Sequence, residues 1–241
     1  MSPRTLNWTL LGALAAIAVG PRIFVRIAAW QHRLVAPVTH AELGLTLLGL
    51  WLFVPLSPET LLFGAGDLRQ PLGLAGAVPF AAESFVVIEA SVTALNALAV
   101  GLIVRMLCAR RLVAWVVVPL FLLLGLAVRT LGTAILIGPG EALAWLTPGA
   151  QGGLLLATGM LVLTLPLPSV AGLMIAALAL MAGTVLVNLA PPNPHSLAAL
   201  ATWRQGHFLN FNGLTRLVGI LWPFLTLPFL LLDPEVAVEA S

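Results

Sequence analysis

The chain has no lysine and no tyrosine, one cysteine, and very little charge: 8% of its 241 residues are acidic or basic. Each shortage excludes something. Soluble domains carry about a quarter charged residues, so a water-soluble globular fold is excluded. A lone Cys108 excludes an internal disulfide and any multi-cysteine metal site. All eleven basic residues are arginines, and they are scattered, so the sequence has no basic patch of the kind that binds nucleic acid. The all-Arg, Ala/Leu/Gly-rich composition fits a high-GC bacterial genome.

What the chain does have is apolar length. Hydrophobic residues make up 60% of it, and the mean hydropathy is +1.07. A helix needs about 20 apolar residues to cross a hydrocarbon core of about 30 Å. Runs of that kind use up nearly the whole sequence, which predicts an all-α fold: one polytopic transmembrane helical bundle of six to seven spans, with no separate soluble domain. The spans are expected at 6–20, 42–56, 83–107, 112–137, 141–165, 167–189 and 208–232. The first is read as an uncleaved span rather than a signal peptide, because Pro21 suits a cleavage site poorly. Arg22, Arg26 and Arg33 share one helical face over 21–34, the pattern of an interfacial amphipathic helix. Gly- and Pro-rich residues 57–82, with Glu59, Asp67 and Arg69, are long enough for a surface or re-entrant segment.

Thr147, Pro148, Gly149, Gly152 and Gly153 interrupt the fifth run, which predicts a kinked helix or two half-helices. Pro191, Pro192 and Pro194 stop the sixth at Asn188. Ser196 can cap a short helix that ends at Gly206 and lies on the outer surface, with Trp203 and Arg204 as anchors. The arginine bias of short loops sets the orientation. Arg22, Arg26, Arg33, Arg105, Arg110 and Arg111 fall on one side, against Arg4, Arg69 and Arg204 on the other. This predicts an N-terminus outside and a cytoplasmic C-terminus in a bacterial inner membrane, with residues 188–216 facing the periplasm.

Ionisable groups inside a span cost about 2.5–3.5 kcal/mol on insertion scales, so each needs a partner or a purpose. Glu89 and Arg129 lie almost equally far from the hairpin turn near residue 109, hence at one depth. Two readings follow. The pair neutralises itself and fixes the hairpin register, with Asn96 adding an interhelical hydrogen bond. Alternatively Arg216, about 12 Å into its own helix at 1.5 Å per residue, shares that carboxylate with Arg129. Surplus arginine near the outer surface then suits a phosphate, which a guanidinium binds as a fork. Asn212, Thr215, Arg216 and Gly219 follow i, i+3, i+4, i+7 spacing and put a polar stripe on one face. Asn188, Asn210 and Asn212 add neutral hydrogen-bonding groups, so the candidate ligand site is Arg129, Arg216, Glu89, Asn188, Asn210 and Asn212. Glu42 is read as a helix-start residue.

His195 and His207 stand twelve residues apart, with no cysteine or carboxylate to complete a ligand set. No metal and no cofactor is expected, and no nucleophile, phosphate-loop or dinucleotide motif occurs in a supporting context.

Asn96 in the hairpin, the basic turn from Arg105 to Arg111, a charged residue in the following helix and the glycine pair Gly152 and Gly153 together resemble the layout of the VanZ-like family. The stretch NLAPPNP…WRQGHFLNFNGLTR…WPF is similar to a C-terminal extension found in that family, so the resemblance covers roughly residues 83–232. The chain departs from the family at Arg129, where a glutamate is usual, and around Gly152, where an aspartate and asparagine are missing. The resemblance implies a bacterial cell-envelope membrane protein in the neighbourhood of lipid-linked glycan precursors.

The function expected from these features is binding of an anionic lipid or lipid-linked cell-envelope glycan at a periplasmic-side pocket, with membrane lipids as partners. Two alternatives stand beside it: a non-enzymatic subunit or assembly partner of other envelope membrane proteins, and a small transporter or lipid-modifying enzyme. The lack of an acid/base pair weighs against an enzyme. The lack of an internal repeat weighs against a transporter, although the interruption at Pro148 favours one.

Overall fold

The computed structural model describes residues 36, 40–57, 60–69, 71–73, 81–191 and 209–232, with side chains of the last helix over 213–231. Among them the fold is all-helical, without a strand. We number six α-helices in chain order: α1 (Ala41–Trp51), α2 (Ala82–Leu107), α3 (Arg111–Leu136), α4 (Pro148–Thr164), α5 (Ser169–Leu189) and α6 (Leu209–Leu232). Short 3₁₀ turns follow α1 at Val54–Leu56 and α3 at Pro139–Glu141. Four helices, α2, α3, α5 and α6, are long and apolar enough to cross a membrane; α1 with its 3₁₀ turn, and α4, are shorter apolar segments. The expected first span, the 21–34 helix and the outer helix ending at Gly206 lie outside the described residues.

Helix α2 is the axis of the bundle. In its most apolar stretch 67% of residues are buried, against 17% in α3. Small residues explain this. Ala94, Ala97, Ala99 and Gly101 let neighbouring backbones come close where larger side chains would hold them apart. Helices α4 and α5 pack most extensively on α2, α3 packs less, and α6 lies against α5 and α1. Helix α3 turns Leu120, Leu123, Leu131 and Ile135 outward, as a lipid-facing helix does.

The expectation for residues 141–165 needs correction. There is no kinked span or pair of half-helices. The chain makes a 3₁₀ turn, and α4 begins only at Pro148, with the Thr147 hydroxyl accepting from Ala150 N at 3.1 Å. Thr at the N-cap and Pro at the first helical position form a strong start signal, because proline lacks only an N–H that would be unpaired there anyway. The glycines that looked like a break are the face on which α4 meets α2. A Cβ on Gly149 would collide with the Glu89 carboxylate, and one on Gly153 would lie 2.6 Å from the Ala90 carbonyl oxygen.

At the other end of α4, Pro166 and Pro168 supply no N–H, and the last carbonyls of the helix are left over. Arg105 Nε donates to Leu165 O at 2.7 Å and its Nη2 to Leu167 O at 3.0 Å, while Arg111 reaches Pro166 O at 3.3 Å. Two of the three arginines of the basic turn therefore cap a helix end.

Candidate functional site

Residues 57 and 60–69 form no helix, yet Leu61, Leu62, Phe63, Gly64, Ala65 and Gly66 are all buried between the helices. Irregular backbone survives in an apolar bundle only when its N–H and C=O groups find partners in the protein. Here the partners come from four helices. Arg129 on α3 donates to the carbonyls of Pro55, Ser57 and Thr60, the last at 2.9 Å. Thr93 on α2 donates to Leu62 O at 3.3 Å. Asn188 on α5 acts in both directions: its Nδ2 donates to Gly66 O at 2.7 Å and its Oδ1 accepts from Leu68 N at 2.9 Å.

The fourth partner is made by a proline. Pro223 has no N–H, so the carbonyl of Gly219, four residues earlier in α6, loses its helical donor. Gly66 N takes that place at 2.8 Å. Gly66 must be glycine on two counts. Its φ is +81, and a Cβ there would lie 2.8 Å from both Pro223 Cγ and Thr184 Cγ2. Phe63, also at positive φ (60), anchors the middle of the loop with its ring 5.1 Å from that of Trp51.

Behind the loop lies the buried charge. Glu89 and Arg129 are 4% and 5% exposed, and the carboxylate acts on the guanidinium through space. Glu89 also abuts Gly149 at the start of α4, where the helix dipole favours a negative group. Both members of the expected pair are thus buried in the bundle, and a helix N-terminus stands beside the carboxylate.

Two sequence expectations fail here. Asn96 makes no interhelical bond: it lies against Gly183, and its Nδ2 returns to Val92 O in its own helix at 2.9 Å. Arg129 and Arg216 do not share Glu89 either. Arg129 donates to the carbonyls of Pro55, Ser57 and Thr60, whereas Arg216 lines the cleft beside α6, half-buried, with no hydrogen-bond or ion-pair partner among the described residues.

Between the loop and α6 is a partly open cleft of about 40 Å³, lined by Ser57, Thr60, Gly66, Asp67, Thr215 and Arg216 among others. Asp67 is already engaged by Arg69, at 2.6 Å through Nη2, and Arg69 in turn donates to Ala190 O. Thr215, Arg216 and Gly219 of the expected polar stripe face the cleft. The Asn210 and Asn212 side chains, His195 and His207 lie outside the described residues. Asn188 is present but spent on the loop. Among the described residues no group of three His, Cys, Asp or Glu side chains comes together to hold a metal.

Sequence reasoning missed Ser57, Thr60 and Asp67 as cleft residues. The available signal was the pair Gly219 and Pro223, an acceptor left open at i−4 that invites an N–H from outside the helix. No protein-family model, curated protein or solved structure matches the chain.

Proposed function

We propose that this is an integral membrane protein that binds the phosphate of an anionic lipid or lipid-linked envelope glycan in the cleft between residues 57–67 and α6. One observation carries the reading: among the described residues the half-buried Arg216 guanidinium has no partner, and Asp67, which lines the same polar cleft, is already neutralised by Arg69. Such a group gains most from an anion, and phosphate oxygens match its fork. Arg129 and Asn188 serve the same site from behind, by holding the loop that forms one wall.

The resemblance to VanZ-like proteins supplies the compartment for this reading: a bacterial inner membrane, with the cleft on the periplasmic side and the Arg105–Arg111 turn in the cytoplasm. The arginine distribution supports that orientation.

The test is native mass spectrometry with lipid identification on the detergent-purified protein, wild type against Arg216→Ala. Wild type is expected to retain an anionic lipid that the variant loses, at unchanged thermal stability. Identical lipid profiles from equally stable samples overturn the reading.

A further inference from the structure

Several glycines in this bundle are packed tight: a Cβ on Gly125 would lie 2.8 Å from the Trp51 ring, and one on Gly183 2.7 Å from Asn96 Nδ2. Gly219 is different. It lines the cleft, yet a Cβ there would meet no described atom within 4 Å. Close packing, the usual reason for glycine in a membrane helix, does not account for it, and the position leaves space open. The lining around it changes character along α6. It passes from Thr215 and Arg216, in the first third of the helix, to Gly219 and Ile220 near its middle. Arg216 and Ile220 are about one turn apart, roughly 6 Å at 1.5 Å per residue. Polar lining thus gives way to apolar lining toward the middle of a helix long and apolar enough to cross a membrane. Ile220 is itself partly exposed, and its neighbours on the helix surface at i−3 and i+4, Leu217 and Phe224, are 52% and 41% exposed.

We infer that the cleft continues into a track for hydrocarbon: a lipid phosphate sits at Arg216, and the first part of its chain runs past Gly219 and Ile220 onto the outer face of α6 at Leu217 and Phe224. The inference rests on the anion-binding reading above and narrows its ligand to one whose chain lies in the bilayer, against a soluble phosphate. The size of the cleft agrees. At about 40 Å³ it holds only a few water-sized centres, at roughly 10–15 Å³ each, so a lipid places its charged group there and the rest lies along the helix. The head is toward Leu209 and the chain toward Leu232. The lipid therefore stands upright in the leaflet on the side of the N-terminal end of α6. Moving a chain from bilayer to track removes no hydrocarbon from water, so retention comes from the charge and from fit rather than from the hydrophobic effect.

The experiment uses the full chain in phosphatidylcholine nanodiscs with phosphatidylglycerol that carries a photoreactive diazirine on an upper carbon of one acyl chain, and maps labelled peptides by mass spectrometry. Label is expected to concentrate on residues 217–224 over the outer face of α3 at Leu120 and Leu123, and unlabelled phosphatidylglycerol is expected to compete it away. Arg216→Ala should lower it about tenfold, the effect of one hydrogen bond to a charged group. Gly219→Leu should also lower it about tenfold by filling the track, at equal or higher thermal stability because leucine favours helix over glycine. Gly219→Ala adds one methyl that meets no described atom, so it folds even if the leucine variant does not, and should give a smaller loss in the same direction. Wild-type labelling in the Gly219 variants that fold overturns the track. Displacement of the probe by equimolar inorganic phosphate overturns it too, since phosphate alone would then suffice. Lipid retention that depends on Arg216 in native mass spectrometry, with label spread evenly over α3 and α6, overturns the track and leaves the anion site standing. Label and retention that ignore Arg216 overturn both readings.

Discussion

The bundle closes two irregular segments with the same device, arginine donors on backbone carbonyls, and the two differ in what is left over. At 165–168, Arg105 and Arg111 meet carbonyls freed by a helix end and two prolines. At 57–69, Arg129, Thr93, Asn188 and the Gly219 carbonyl hold a longer loop, and beyond them remain Arg216, Ser57 Oγ and a cavity. The turn that closes a helix end has its carbonyls at 165, 166 and 167 each met by an arginine, and none of these residues lines the cleft. The loop that forms one wall of the cleft is held by α2, α3 and α5 and, at Gly66, by α6, while Arg216 on the cleft side has no partner among the described residues.

The sharpest way to break this comparison is Arg129→Ala, which removes the guanidinium's hydrogen bonds to the carbonyls of Pro55, Ser57 and Thr60 inside the bundle. We expect a loss of about 3–5 kcal/mol, the range for removing one partner of a buried charged network, read as the unfolding free energy in mixed micelles. Arg129→Lys should recover only part of it, because an ammonium cannot span carbonyls as a fork does. Asn188→Ala comes next, at about 2–3 kcal/mol for two loop hydrogen bonds, with increased proteolysis inside 57–69. Arg105→Ala should cost about 1 kcal/mol, since water at a helix end can replace its donors. If Arg105→Ala proves as damaging as Arg129→Ala, the two segments are equally structural and the distinction fails.

The smallest effect concerns Cys108, just past the end of α2. Burial pushes its thiol up from 9.0 to about 11, against a smaller opposing pull from Arg105. The neutral thiol is the form the fold favours, so near pH 8 the thiolate is about a hundredfold scarcer than for an ordinary cysteine. Iodoacetamide labelling of the folded protein should be slow at pH 8 and should still be accelerating as the pH approaches 11. Labelling at the rate of the unfolded chain would show that the Arg105 turn is open.

Much of the fold was legible because apolar runs and their breakers are written directly in the residues. Helices expected at 83–107, 112–137 and 208–232 are found at Ala82–Leu107, Arg111–Leu136 and Leu209–Leu232. Pro148 misled because the same residue that kinks a helix interior starts a helix well. Of the site, Arg216 and the stripe below it could be read from spacing, as could the need to bury Glu89 and Arg129 inside the bundle. The destination of Arg129 could not. Its acceptors are backbone carbonyls, which every residue carries, so nothing in the identities of Pro55, Ser57 and Thr60 marks them. Asn188 was legible as polar but not as a two-way clamp, for the same reason.

The Gly66 to Gly219 hydrogen bond also sets an order of biogenesis. The loop emerges from the ribosome early, whereas Asn188, 122 residues after Gly66, follows about 6–24 s later at 5–20 residues per second. The carbonyl that Pro223 leaves open arrives later still. Through that interval the 57–69 backbone has neither its asparagine nor its α6 acceptor, and must wait in the translocon or the headgroup region. A chain truncated before Gly219 would present the insertion and quality-control machinery with an apolar loop that cannot bury itself.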